Sequence, residues 1–182
     1  IDVELLDLDD RTLRELEDRF VLVFSGQRRL ARNVLRAEMN QCVRNDRGAM
    51  AAVARIRELC ALMRFHLLNG DVTAFARCMD EQLEHVKLLD KGATNTCVDY
   101  IFEVCADLVE GRSVCGAGGG GFLQMILKEG VSREQLEKRI RDEFRGCGVE
   151  VWDAGFYFAD DMGEERVDER GRGSERGRSQ GG

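Results

Sequence analysis

Six consecutive positions, Gly116-Ala117-Gly118-Gly119-Gly120-Gly121, hold five glycines. With nearly every Cβ removed, the backbone can approach another group closely and its N–H groups can line a concave anion site. Glycine in bulk raises the entropy lost on folding, so such a run between two strand-like segments needs a reason. A Walker loop requires G-x4-G-K-[ST]. Gly116 and Gly121 have the spacing, but Phe122-Leu123 stands where Lys and Ser/Thr must be, and without that lysine the reading fails. The dinucleotide pattern G-x-G-x-x-G matches at Gly116, Gly118 and Gly121. It requires a helix directly after the loop, so a strand at Phe122 to Lys128 would exclude it. A structural reading also stands: a glycine-rich crossing where a strand packs on another domain.

Other side chains with chemical potential are scattered. The seven cysteines (42, 60, 78, 97, 105, 115 and 147) include no CxxC pair, so zinc, iron–sulfur and thioredoxin readings lack their signature and no metal site is expected. Cys42, Cys60, Cys78 and Cys105 sit among apolar residues, as buried reduced thiols of a reducing, cytoplasmic compartment do. His66 and His85 lie in helix-like segments without ligand spacing. Glu81, Glu84 and His85 read as a solvated helix face, and Asp160-Asp161 as a fraying strand end.

The elements that position the loop follow from periodicity. Val3, Leu5 and Leu6 suggest a short strand. Thr12 with Glu15 suggests a capping box that opens a helix through Leu13 and Leu16. Phe20-Val21-Leu22-Val23-Phe24 is an apolar run of strand length, stopped by Ser25-Gly26. Helices are expected from Gln27 to Arg44, from Arg47 to Leu68 (ended by Asn69-Gly70), from Asp71 to Lys91-Gly92, and from a Thr96/Asp99 capping box through Leu108. Ser113 to Cys115 and Phe122 to Leu127 read as strands around the glycines. Val131, Ser132, Gln135 and Leu136 combine a capping box with a hydrophobic staple, and Val149 to Phe158 reads as a last strand with Trp152 and Phe156 on a core face. The pattern is α+β with one small sheet.

Composition bounds the rest. The 182 residues fit one ordinary domain, and 43% hydrophobic content is ample for a core. Lys+Arg 27 against Asp+Glu 34 leaves a net charge of −7, the wrong sign for a nucleic-acid binder. No apolar run approaches about 18 residues, so no membrane span is expected. Ile1 to Asp10 carries five acids and no base, the opposite of a signal peptide's start, and the missing initiator Met suggests a piece of something longer. Gly163 to Gly182 holds five acids, five arginines and six glycines around Val167 and is expected to be disordered. The domain division is therefore 1–159 folded and 160–182 tail.

The segment Ser113-Val-Cys-Gly-Ala-Gly-Gly-Gly-Gly-Phe-Leu-Gln-Met-Ile-Leu-Lys-Glu-Gly130 resembles motif three of the GHMP kinases (galactokinase, homoserine kinase, mevalonate kinase, phosphomevalonate kinase). Phe20 to Asn33 resembles the strand–TGxxR–helix element of that family's fucokinase and D-glycero-D-manno-heptose 7-phosphate kinase branch. Leu89 to Asp99 resembles the segment before the branch's penultimate helix. Together the match runs from about Val3 to Phe158. The resemblance implies the C-terminal domain of a sugar kinase: a ferredoxin-like, four-stranded antiparallel sheet with long helices, using ATP and Mg²⁺ to phosphorylate a sugar anomeric hydroxyl, of L-fucose or a heptose phosphate. It places Gly116, Ala117, Gly118, Gly119, Gly120 and Gly121 beside the nucleotide phosphates and puts Arg29 on the arginine of the TGxxR element, at substrate phosphate or a domain interface. Here that element reads Ser25-Gly26-Gln27-Arg28-Arg29, departing at two positions.

The family's principal phosphate loop begins with Pro and runs through Gly and Ser, yet this chain has no Pro and no second glycine-rich run. The family's catalytic acid also belongs to the N-terminal half. No catalytic residue is therefore expected within the chain, whose partners would be an N-terminal GHMP kinase domain and the sugar. A non-enzymatic ferredoxin-like module that binds a ligand or a partner chain is the alternative.

Overall fold

The structure, a computed structural model, describes residues 5–27, 46–116 and 118–156. Val3, the expected helix beyond Gln27, Arg29, Cys42, Ala117, Asp160-Asp161 and the charged tail lie outside these residues.

Among the described residues, five helices and four strands follow in the order α1 (Asp10–Arg19), β1 (Phe20–Ser25), α2 (Arg47–Leu68), α3 (Val72–Leu89), α4 (Thr96–Val104), β2 (Val109–Val114), β3 (Phe122–Leu127), α5 (Arg133–Glu143) and β4 (Val149–Trp152). The sheet has the order β2-β3-β1-β4 and every pairing is antiparallel. The fold is α+β, as expected. The two most apolar strand-length runs, Phe20–Phe24 and Phe122–Leu127, became the two inner strands, β1 and β3. The outer strands carry charge, Glu110 and Arg112 on β2 and Glu150 on β4, as suits an edge that must not recruit another strand.

Alternation divides the side chains between two faces. Val21 and Val23 of β1 with Leu123, Met125 and Leu127 of β3 meet Leu83, Ile101, Phe102, Leu136 and Ile140 from α3, α4 and α5. Each such aliphatic chain, fully buried, stabilises the fold by about 1.5–3 kcal/mol. On the other face Ile126 and Phe20 pack under Val72, Ala76 and Met79 of α3 and Leu16 of α1. Helix α3 lies so close to β2 that a Cβ on Gly111 would come 2.1 Å from the Ala76 carbonyl oxygen.

Several boundaries differ from expectation for physical reasons. Leu5 and Leu6 are in no strand. Helix α1 is capped by Asp9, whose Oδ1 accepts from the Thr12 amide at 2.7 Å; a carboxylate reaches that amide and leaves Thr12 to be buried in the first turn. Helix α4 is likewise capped one residue early, by Asn95. It ends at Val104, and β2 begins at Val109 rather than Ser113. Strand β4 stops at Trp152, which is 44% exposed rather than core; beyond it, Phe156 sets its ring edge-on to Phe20. Cys60 is exposed, while Cys78 and Cys105 are buried. The Ser132/Gln135 capping box forms in full.

Candidate functional site

The glycine run bridges β2 and β3 without being a simple hairpin turn. Cys115 N donates to the Phe122 carbonyl at 2.9 Å, closing the base of the loop. Gly116, Gly118, Gly119, Gly120 and Gly121 all have φ between 66° and 136°, a backbone region that side-chain-bearing residues resist. The choice of glycine at these five positions is thereby explained by handedness before any ligand is considered.

Three parts of the chain hold the loop. The first is the turn after α3, where the Gly119 amide donates to the Ala93 carbonyl at 2.7 Å. A Cβ on Gly118 would sit 2.3 Å from the same oxygen. The second is the end of β1: Gly121 N donates to the Gln27 carbonyl (2.9 Å) and Ser25 N to the Gly121 carbonyl (2.9 Å), extending the β1–β3 ladder past Phe24. The third is Asn95. Its Oδ1 accepts from Val98 N at 3.0 Å as the cap of α4, and its Nδ2 donates both to the Gly119 carbonyl (2.8 Å) and to Gln27 Oε1 (2.9 Å). One side chain thus ties a helix start, the loop and the strand end.

Gly118, Gly119 and Gly120 are buried, Gly121 is half-buried and Gly116 is exposed. Two amides, Gly119 and Gly121, are committed to carbonyls of the chain itself. The amides of Gly116, Gly118 and Gly120 meet no acceptor among the described residues. Two buried side-chain oxygens near the attachments also lack partners there: Ser25 Oγ and Asp90 Oδ2. Burial raises the Cys115 thiol above its ordinary range, which disfavours the thiolate.

The remaining sequence candidates do not join this site. Glu81 accepts from Arg55 Nε (2.7 Å) and Nη2 (3.1 Å) across the α2–α3 seam; that pairing holds its carboxyl below the usual range. His85 Nε2 lies 3.7 Å from the same carboxylate, and Glu84 pairs with Lys87. These are ties between and along helices. A groove of about 500 Å³ lies between α5 and β4, lined by Ile140, Phe144, Val149, Val151, Arg141 and Glu150 among others; no glycine of the β2–β3 run lines it. Among the described residues, no three His, Cys, Asp or Glu side chains converge as metal ligands, and no helix is long and apolar enough to cross a membrane.

Sequence reasoning missed three features. Gln27 and Asn95 drew no attention as partners, because 68 residues separate them and amides carry no pattern. Arg19 is 6% exposed, with Nε donating to the Leu127 carbonyl (2.8 Å) and Nη1 to Glu15 and Thr73. No local pattern singles it out, because its partners Leu127 and Thr73 lie far along the chain. The ring cluster of Phe24, Phe122 and Trp152, with the indole edge-on to both phenyl rings, was legible only as separate strand residues.

No family model matches the chain. Among curated proteins it is 32% identical over 130 residues to the bifunctional fucokinase/GDP-fucose pyrophosphorylase of Arabidopsis thaliana, covering 71% of this chain and 12% of that protein. It is 25% identical over 128 residues to the L-fucokinase/L-fucose-1-P guanylyltransferase of Bacteroides fragilis, covering 70% and 14%. The chain therefore spans about an eighth of the length of the curated relatives it matches. Among solved structures, the fold matches L. major mevalonate kinase with a TM-score of 0.61 at 15% identity, over 75% of this chain and 41% of that one. A putative sugar kinase from Campylobacter jejuni gives 0.58 at 22%, over 86% and 42%. A D-glycero-D-manno-heptose 1-phosphate kinase from Bacteroides thetaiotaomicron gives 0.54 at 19%, over 83% and 37%. The strand at Phe122–Leu127 removes the dinucleotide-binding alternative, and sequence and architecture converge: the chain belongs to the GHMP sugar kinases.

Proposed function

We propose that this chain is the C-terminal part of an ATP-dependent, fucokinase-like sugar kinase that moves the γ-phosphoryl group to a sugar anomeric hydroxyl, and that it is inactive without an N-terminal half. The observation that carries the reading is the relationship to two fucokinases over about 70% of the chain, together with a glycine loop fixed by hydrogen bonds at the end of β1. Phosphoryl transfer needs chiefly positioning and stabilisation of charge. The loop suits a border role. Its amides at Gly116, Gly118 and Gly120 have no acceptor among the described residues, and its lack of side chains leaves room for a phosphate and for an opposing loop.

ATP would supply the phosphoryl group and Mg²⁺ would neutralise its charge, with metal ligands provided mostly by the partner half. Arg29 would meet phosphate or the domain interface, and Ala117 completes the loop in sequence. We assign residues 1–159 to the kinase domain and 160–182 to a charged tail. The cytoplasm is the compartment we infer, since the six described cysteines are all free thiols.

The test is to mix the purified chain with a separately purified N-terminal kinase half and to follow ATP-dependent phosphorylation of L-fucose and of heptose phosphates. Activity that appears only on mixing supports the reading; activity in neither the mixture nor the parts removes it. One observation favours the alternative, a non-enzymatic module: the Gly119 and Gly121 amides are already used internally, as in a loop built for packing. That alternative predicts a monodisperse chain that gains nothing from the mixture.

A further inference from the structure

We infer that Gln27 is a ligand-contacting residue of the glycine-loop site, offering its side-chain Nε2 as a donor to a phosphoryl oxygen, with Asn95 as the positioning residue that fixes the direction of that amide. The inference rests on the phosphate reading of the loop given above.

The orientation of a side-chain amide is decided by its hydrogen-bond network, and here the backbone decides it at both ends. Val98 N–H is only a donor, so the Asn95 atom 3.0 Å from it is the oxygen. The Gly119 carbonyl is only an acceptor, so the Asn95 atom 2.8 Å from it is the nitrogen. Turning Asn95 over would set N–H against N–H and oxygen against oxygen and lose both bonds. The second Nδ2 proton then requires an acceptor, and Gln27 provides Oε1 at 2.9 Å. Gln27 Nε2 is consequently turned away from Asn95, with two protons and no acceptor among the described residues, on an exposed side chain.

Glycine at position 120 lets that side chain lie where it does. A Cβ there would come 3.3 Å from Gln27 Cβ and 3.7 Å from its Oε1. The main chain of Gln27 is fixed as well, since its carbonyl holds Gly121 N. Strand end, loop and helix cap therefore pre-set one neutral donor beside amides that also lack acceptors. No lysine follows the glycines, where Phe122-Leu123 stands instead, so the loop itself brings only neutral donors to this rim. A donor with no acceptor of its own suits an unprotonated phosphoryl oxygen.

Gln27→Glu tests this, because it keeps Oε1 for Asn95 and replaces Nε2 by an anionic oxygen. The full chain is combined with the N-terminal kinase half, and Mg·ATP and L-fucose are varied in turn. Losing a hydrogen bond to a charged group raises KM for ATP by about tenfold or more. KM for the sugar and the unfolding midpoint of the chain stay at their wild-type values. Gln27→Met, which removes the donor without adding charge, gives a smaller rise in the same constant. An active wild-type mixture with unchanged Gln27→Glu kinetics overturns the inference and leaves the kinase reading intact. A rise confined to the sugar constant, or a loss of activity matched by a fall in the unfolding midpoint, also overturns it. A wild-type mixture with no activity removes the kinase reading and this inference together.

Discussion

Gly111 and Gly118 make nearly the same approach to a backbone carbonyl, yet for different ends. A Cβ at Gly111 would lie 2.1 Å from the Ala76 oxygen; one at Gly118 would lie 2.3 Å from the Ala93 oxygen. Gly111 sits inside strand β2, with a backbone conformation open to other residues, and only space demands glycine there. Around it are the α3 helix and strand β3, with which β2 pairs from Gly111 to Val114 after a register shift between Val109 and Gly111. Gly118 adds a φ of 68°, and its neighbours Gly119 and Gly121 take irregular partners from distant parts of the chain. Gly111 closes a core. Gly118 shapes a surface in which some donors are satisfied and others are left open.

The comparison predicts that stability and function separate. Gly111→Ala has the largest effect on folding, because neither the helix backbone nor the paired strand can yield cheaply. A loss of about 3 kcal/mol is expected, lowering the unfolding midpoint by roughly 6–12 °C in a chain of this size. Calorimetry that found no change would show that the approach of α3 to β2 is not tight. Gly118→Ala combines strain with the clash but lies outside the regular helix and strand ladders; about 2 kcal/mol is expected in the same measurement. In the reconstituted kinase assay this second variant is expected to lose far more activity than its stability loss explains. Equal losses of activity for the two variants would erase the distinction drawn above.

Gly116→Ala sharpens the contrast further. Its φ is 66°, but nothing lies within 4 Å of the added carbon. Only the handedness penalty of about 1 kcal/mol is expected, as a small shift of the denaturant midpoint. The smallest effect belongs to a control remote from both glycines. Asp107 receives two hydrogen bonds from Arg139 (2.8 and 2.9 Å), which hold its carboxyl below its ordinary value of 3.8. The contribution of a depressed carboxylate is present above the unfolded value and fades as pH falls through the folded one. Asp107→Asn should therefore be slightly less stable than wild type at neutral pH, and the difference should vanish in acid unfolding below 3.8. A difference that grew as pH fell would reverse this assignment.

Much of this was legible beforehand, and the residues show why. The inner strands β1 and β3 were readable as largely apolar runs, because strands flanked on both sides leave neither face fully exposed. Helix α2 was readable at both ends, from Arg47 and from Asn69-Gly70. Caps were less secure. Asp9 and Asn95 replaced Thr12 and Thr96, since several neighbouring polar residues compete for the same amides and a local pattern does not say which one reaches them. The exposed Trp152 was misread because burial depends on what packs across the sheet. The same holds for the site. The glycines announced themselves by composition, whereas Gln27 and Asn95 meet only because β1 ends beside the start of α4.

The sequence by itself determined the class of the fold, the strand on either side of the glycines, and the kinship with sugar kinases, because periodicity and residue order are local properties. Only the tertiary structure decided which loop amides are engaged, which carbonyls engage them, and which way the Gln27 amide faces. Those depend on hydrogen bonds between residues far apart in the chain, and a hydrogen bond is specified by position and angle rather than by residue type.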